Sequence, residues 1–464
     1  MRFFNINYLL GTSGCLLVLS CEFGPIGRPV EDLSIRTPGS WNAVSGGSEG
    51  KISSGWIAEL GDSDLTRTVN QALANNRDLK VAAERFREAK QASIIGRSRS
   101  QPTVGLAGNG AVSDSPADSR NFNYGLNLAA SWEPDLWGRL RDLNRADAAV
   151  ERAALEDFRG ARLSLAANTA KAWCNLISTE QEVVLAGTTL ESFEKNLRII
   201  ERNYKGTGEG ALDIQFGRTN VSSARRALEQ RTLDREQAAR SLEVLLGRYP
   251  SGSSRARKEL PQLRGMVPAG IPADLLDRRP DLAASRARLF ASARQSDAAR
   301  KALLPSFSIT GAGGTSSTRM ADLLSADQLV ATLVGRFTQI LSEGGAAKAE
   351  AAAALDRNDA QLNAYAQSAL NAFREVESTL SSDRSLSAQE KFLASELEQA
   401  ALAERLSERD YSEGVNPNIL SVLEAQRRAN NARASMIRLR NQRLQNRIDL
   451  HLALGGDFQT QPAG

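Results

Sequence analysis

Few residues in the sequence combine the types and the spacing that catalysis requires. His451 is the only histidine among 464 residues, which argues against a histidine-based metal site and against a Ser-His-Asp hydrolase. The run Gly46-Gly47-Ser48-Glu49-Gly50 has the spacing of a nucleophile elbow, but no helical pattern follows it. Gly50-Lys51 is followed by Ile52 where a phosphate-binding P-loop needs Ser or Thr. The sequence therefore predicts a protein that is not an enzyme and that needs no metal or cofactor.

The N-terminus has the features of an export signal. A short apolar stretch that ends in a small residue predicts a cleaved signal peptide over residues 1–20. The segment Val18-Leu19-Ser20-Cys21 resembles a bacterial lipobox, which implies cleavage before Cys21 and lipidation of its sulfur. A plain signal peptide with incidental cysteines is the alternative. Cys174 lies in a long helical pattern, and we expect it to be a small buried packing residue.

The charge balance and the hydropathy pattern narrow the class of protein further. Lys and Arg number 58 and Asp and Glu number 54, so the net charge is only +4. This balance argues against a nucleic-acid partner, which would call for a strongly basic patch. After the N-terminus, no apolar run approaches the ~20 residues of a membrane-spanning helix. If the protein crosses a membrane, it must do so with strands.

The chain is internally duplicated with a period near 205 residues. Five landmarks recur in the same order, at offsets of 203, 203, 207, 207 and 208: Asp78/Asp281, Pro102/Pro305, Gly138/Gly345, Tyr204/Tyr411 and Gly247/Gly455. We therefore predict the following division: a signal peptide (1–20), a lipidated N-terminal linker (21–61), a first repeat (62–247), an inter-repeat linker (248–272), a second repeat (273–455) and a tail (456–464).

Each repeat is predicted to contain a helix, a strand pair and a long helical hairpin. The first helices span about 63–98 and 273–303. The residues from Phe122 to Trp132 alternate between apolar side chains and small or polar ones, which indicates a strand with one apolar face. Residues 138–204 contain no proline, and a helix of that length would extend for roughly 100 Å. Residues 345–411 repeat this length, and return helices follow over 211–246 and 418–454.

The two strand pairs can be interpreted in two ways. An eleven-residue strand, tilted by about 40°, rises roughly 25–28 Å, which matches the apolar band of an outer-membrane barrel. Four strands cannot close such a barrel, because at least about eight are needed. Three chains would supply twelve. The alternative is a soluble two-hairpin sheet on a structural periplasmic coiled coil without a pore.

Several motifs resemble the TolC-like outer membrane efflux proteins, and specifically their NodT-like lipoprotein branch. The motifs are those at 132–138, 271–282, 302–307, 411–414 and 420–426. The resemblance implies a mainly α fold with a small transmembrane β part. In that fold three identical chains form a twelve-stranded barrel, four strands per chain, which is continued by a long periplasmic helical barrel.

The same resemblance implies a function, partners and a location. The resemblance implies a passive export channel that is lipid-anchored in the outer membrane and reaches into the periplasm. There the channel would dock to a periplasmic adaptor and an inner-membrane transporter. The exported substrate is not readable from the sequence.

The resemblance also implies a gate at the hairpin tips. Asp213 keeps the family's nine-residue spacing from Tyr204, and Tyr411 matches the tyrosine that bonds across to this acid. Leu420 and Glu424 match the branch's apolar and acidic constriction rings and, being four residues apart, share one helix face. Three Glu424 side chains around a pore would favour cations. An ordinary surface charge on a helix is the alternative for Glu424.

Overall fold

The computed structural model describes residues 38–43, 55–115, 118–207, 211–256, 259–263, 267, 270, 272–413, 415 and 418–456. The predicted signal peptide, the lipidation site Cys21 and the tail after residue 456 lie outside the described residues. The helices are α1 (Trp56–Glu59), α2 (Ser63–Asn75), α3 (Arg77–Ser98), α4 (Arg139–Thr207), α5 (Ala211–Leu245), α6 (Leu275–Arg278), α7 (Pro280–Lys301), α8 (Ala346–Ser412) and α9 (Ile419–Ala453). The strands are β1 (Thr103–Ser115), β2 (Asp118–Trp132), β3 (Ser306–Ser317) and β4 (Leu329–Thr338).

The predicted first helix of each repeat is in fact divided. The prediction of one helix over 63–98 is wrong, because Asn76 takes an extended conformation and its side chain accepts a hydrogen bond from the Leu79 N–H at 2.9 Å. An asparagine side chain that accepts this bond begins a new helix. The prediction over 273–303 is wrong for a related reason. Arg279 precedes Pro280 and is forced out of the helical region.

The four strands form one antiparallel sheet in the order β1-β2-β3-β4. The register fixes which residues share a face, since Leu128 of β2 lies opposite Leu106 on β1 and opposite Gly313 on β3. One face is apolar and includes Val104, Leu106, Phe122, Leu128, Ile309, Leu333 and Phe337. The other face carries mostly hydroxyl, amide and small side chains, among them Thr103, Asn109, Asn123, Asn127, Ser308, Ser316 and Thr332. The outer edges of β1 and β4 pair with no other strand of the described chain.

The long helices follow the sequence prediction closely. α4 has 69 residues and α8 has 67, so each is roughly 100 Å long. α5 and α9 fold back along them as antiparallel partners. Ion pairs link each hairpin along its length: Glu201–Arg218, Glu194–Arg225, Glu182–Arg231 and Glu180–Arg235 in the first, and Glu404–Arg433, Glu390–Arg443 and Asp383–Arg447 in the second. Among the described residues, no helix combines the length and the apolar character that crossing a membrane requires.

The main apolar core lies where the return helices end. It packs α1 and α2 against the middle of α4 and the last turns of α5, and Leu444 and Ile448 of α9 complete it. Cys174 is fully buried there, and burial raises the pKa of its thiol to about 12, as expected of a packing residue. A smaller core holds Trp41, whose indole Nε1 donates to the Gly270 carbonyl at 3.1 Å. The N-terminal segment therefore packs against the second repeat.

Equivalent corners of the two repeats are built in the same way. Gly247 and Gly455 follow α5 and α9, and both have φ +67°, a left-handed conformation that suits glycine. The Asn76 amide donates to the Leu245 carbonyl at 3.0 Å, and the Arg279 guanidinium donates to the Ala453 carbonyl at 3.2 Å. Different side chains thus make the same link, from the start of α3 to the end of α5 in the first repeat and from the start of α7 to the end of α9 in the second.

Candidate functional site

The residues predicted to form a gate lie together at the far end of the two hairpins. Asp213 is in the first turn of α5, Tyr411 is near the end of α8, and Leu420 and Glu424 are in the first turns of α9. α9 begins here because the Asn418 side chain accepts a hydrogen bond from the Leu420 N–H at 3.0 Å.

A small apolar cluster brings the two tips into contact. Ile200 of α4 and Ile214 of α5 pack with Ile419 and Val422 of α9, and Tyr411 packs against them. Leu420 lies outside this cluster, with half of its surface exposed. An exposed leucine at a helix tip leaves an apolar surface free to meet another chain or a passing solute.

A buried glutamine that the sequence analysis did not single out joins the two hairpins. Gln426 is 1% exposed, and its amide oxygen accepts from Asn196 Nδ2 of α4 at 2.9 Å. Its amide nitrogen donates to Ser192 Oγ at 3.1 Å and to Glu408 Oε1 of α8 at 2.6 Å. One side chain thus links α4, α8 and α9. The signal that could have revealed it is a polar residue at a core position of an amphipathic helix, which must find partners when buried.

The carboxylate of Glu424 is paired within its own helix. It accepts hydrogen bonds from Arg427 Nε at 2.8 Å and from Arg428 Nε at 2.7 Å. Hydrogen bonds from Arg427 and then Arg428 lower the pKa of Glu424 to about 2, so it is ionised at neutral pH. The three side chains together carry a net charge of +1, and this corner does not present a bare acidic group.

The polar face of the sheet is a second surface that suits a passage for solutes. Asn109, Asn123 and Asn127 line it, and the Ser316 hydroxyl donates to Asn123 Oδ1 at 2.9 Å. Gly125 and Gly314 lie beside them on the same face. A Cβ at either position would meet an atom within 2.5 Å, so these positions have no room for a side chain. A polar face opposite an apolar one is the pattern of strands that separate water from lipid.

The chain is similar to known outer-membrane proteins over almost its whole length. The family model described as "Outer membrane efflux protein" matches residues 68–248 and 271–456. Outer membrane protein OprJ of Pseudomonas aeruginosa is 30% identical, over 97% of this chain and 96% of that protein. The pyoverdine export outer membrane protein OpmQ of the same organism is 28% identical, over 97% of both chains.

A solved structure agrees with these relatives. The open state of the MtrE outer membrane channel of Neisseria gonorrhoeae superimposes with a TM-score of 0.81 at 26% identity, over 92% of this chain and 98% of that one. The predicted family, the duplicated and mainly helical fold class, the outer-membrane location and the efflux function are thereby confirmed. With most of its length matched by the family model, the chain belongs to the outer membrane efflux protein family.

Proposed function

We propose that three copies of the chain form a passive conduit, the outer-membrane component of a tripartite efflux system. The observation that carries this proposal is the sheet, which has one apolar face and, among the described residues, two open edges. Open strand edges are not tolerated in lipid. β4 of one copy pairs with β1 of the next, and twelve strands close with the apolar face toward lipid and the polar face toward the lumen.

The helical hairpins continue this conduit into the periplasm. They reach a periplasmic adaptor and an inner-membrane transporter, and the transporter supplies the energy. The chain itself catalyses no reaction. Two repeats, 62–247 and 273–455, build the conduit, and a lipid on Cys21 anchors its N-terminal linker in the outer membrane.

The gate lies at the hairpin tips. Asp213 and Tyr411 hydrogen-bond across the two tips and hold them closed, Leu420 forms the apolar constriction, and Glu424 forms the charged ring beside it. Since Glu424 offsets one of the two positive charges of Arg427 and Arg428, its removal increases the positive charge at the passage. The ring is therefore a weaker attractor of cations than three bare carboxylates.

Conductance in a planar lipid bilayer tests this function. We expect channel events from the purified protein, and a cation preference that falls in Glu424→Ala. Glu398→Ala is the matched control, because Glu398 is exposed on α8, away from the tips. A folded trimer that never conducts, and that leaves membranes without detergent, would instead support the periplasmic coiled coil.

Three further single variants and one double variant examine the proposed roles separately. Cys21→Ser should abolish the incorporation of labelled palmitate. Asp213→Asn and Tyr411→Phe should each raise conductance, and the double variant should conduct no more than either single one, because both remove the same bond. Additive effects would mean that the two residues act independently.

A further inference from the structure

Away from the β1–β2 turn, the described polar face of the sheet carries one charged residue. Arg336 of β4 lies opposite Ser308 of β3. This register places Arg336 on the same face as Asn127 and Ser316, the face that the proposed function turns toward the lumen.

Away from the β1–β2 turn, in the strand segments 103–113, 121–132, 306–317 and 329–338, Arg336 is the only charged residue. Asp114, Asp118 and Arg120 lie at the opposite end of the sheet, next to the β1–β2 turn. The strand neighbours of Arg336 on its own face, Val334 and Thr338, are uncharged.

Arg336 also lies at a defined level, two residues before the end of β4, where the strands give way to the long helices. The acids that follow β2 at this junction are engaged elsewhere. Glu133 accepts from Arg139 at 2.7 Å, and Asp135 accepts from the Leu140 and Arg141 N–H groups at 3.0 and 2.7 Å. Glu343 comes seven residues after Arg336 in the sequence, beyond the end of β4.

We propose that Arg336 is a specificity-determining residue of the conduit, and that its three copies form a cationic ring that favours anionic solutes where barrel and helical tube meet. The inference rests on the proposed trimeric conduit and adds the charge class of solute that it favours. A guanidinium stays protonated at any pH the protein meets, so the ring is permanent. Rings of Arg or Lys are the arrangement that anion-conducting pores use.

The effect depends strongly on salt. The Debye length is about 8 Å at physiological ionic strength and about 30 Å at 0.01 M. Three charges in a wide lumen therefore act on solutes mainly at low salt, where their fields overlap.

The test is the ratio of chloride to potassium permeability, measured as a reversal potential across a planar bilayer with a KCl gradient at low salt. Arg336→Gln should lower this ratio by about twofold or more, since fields of this kind amount to a few kT. Arg336→Glu should lower it further, and Arg336→Lys should restore it. Arg120→Gln is the matched control, because Arg120 lies at the other end of the sheet and pairs with Asp114.

Each result has a definite meaning. An unchanged ratio in Arg336→Gln trimers that still conduct would overturn the inference and leave the conduit intact. A larger change in Glu343→Gln than in Arg336→Gln would move the selectivity to that acid and would also overturn it. Absence of conductance in every variant would overturn the conduit, and the inference with it.

Discussion

The side-chain amide of Asn196 donates to the amide oxygen of Gln426 at 2.9 Å, and this bond joins the first hairpin to the second at their tips. The amide nitrogen of Gln426 donates hydrogen bonds to Ser192 and to Glu408. A buried amide with these partners holds the two hairpin tips in one register, because any relative movement of the hairpins leaves it unsatisfied.

Replacing Gln426 should therefore loosen the tips. Gln426→Leu keeps the volume but leaves Asn196 and Glu408 without this partner, at a cost of about 1–3 kcal/mol for each buried polar group that stays unsatisfied. We expect larger and more frequent conductance steps. Gln442→Leu, on the exposed side of the same helix, is the control. Equal conductance in the two variants would rule out a role for Gln426 in holding the tips.

Adjacent glycines of β3 offer a matched pair for testing the contact between the repeats. A Cβ on Gly314 would lie 2.5 Å from the Leu126 carbonyl oxygen of β2, whereas a Cβ on Gly313 meets nothing within 4 Å. Gly314→Ala should force β3 away from β2 and lower the temperature at which trimers dissociate on gels, while Gly313→Ala should leave it unchanged. If both variants dissociate at the same temperature, the strand contact is more tolerant than its geometry indicates.

His451 should make stability depend on pH. Its ring is 3% exposed and stacks on Trp56 at 5.5 Å, and burial, followed by the charge of Arg447, lowers its pKa to about 4. Between this value and the unfolded pKa of about 6.5, the unfolded chain binds the proton and the folded chain does not. Stability should therefore fall as the pH drops from 6.5 to 4, by roughly 3 kcal/mol at most.

His451→Phe keeps an aromatic ring stacked on Trp56 and removes the imidazole that titrates. Its urea unfolding midpoint, followed by tryptophan fluorescence, should change less between pH 7 and pH 4.5 than that of the natural protein. Parallel changes in the two proteins would assign the pH dependence to other groups.

Glu243 fastens the start of the inter-repeat linker. The buried carboxylate accepts from the Gly252 N–H at 2.7 Å and from the Ser254 N–H and hydroxyl at 2.9 and 2.8 Å. Burial alone would raise its pKa, but the hydrogen bonds from Gly252 and Ser254 outweigh this and lower the pKa to about 2. The stabilisation is present above about pH 4.5 and is lost as the pH falls toward 2.

Glu243→Gln replaces one acceptor with a donor, so it should free this segment at a cost of about 1–3 kcal/mol. We expect faster tryptic cleavage after Arg255, which is exposed. Glu259→Gln, an exposed change in the same linker, is the control and should leave cleavage unaltered. Cleavage at the natural rate in Glu243→Gln would show that Arg235, which donates to the Gly252 carbonyl at 2.8 Å, holds the segment without help.

Helix limits that depend on local sequence pattern could be predicted, whereas contacts between residues far apart in the chain could not. The limits of α4 and α8 follow from proline-free runs that begin after Gly138 and Gly345, and both glycines have positive φ. The break at Asn76 is less visible, because asparagine inside a good helical pattern gives only a weak stop signal. Gln426 could not be assigned, since its three partners come from two other helices. The pairing of Glu424 with Arg427 and Arg428 was readable from their spacing of three and four residues.

The sheet of a single chain also bears on how the protein matures. In the described part of one chain two strand edges are unpaired and unsuited to lipid, and one sheet face is apolar and unsuited to the aqueous periplasm. A lone subunit is therefore stable in neither phase, and oligomerisation and membrane insertion have to proceed as one coupled event. The rate of this event should rise more steeply than linearly with the supply of newly secreted chains, so that biogenesis is itself controlled by expression level.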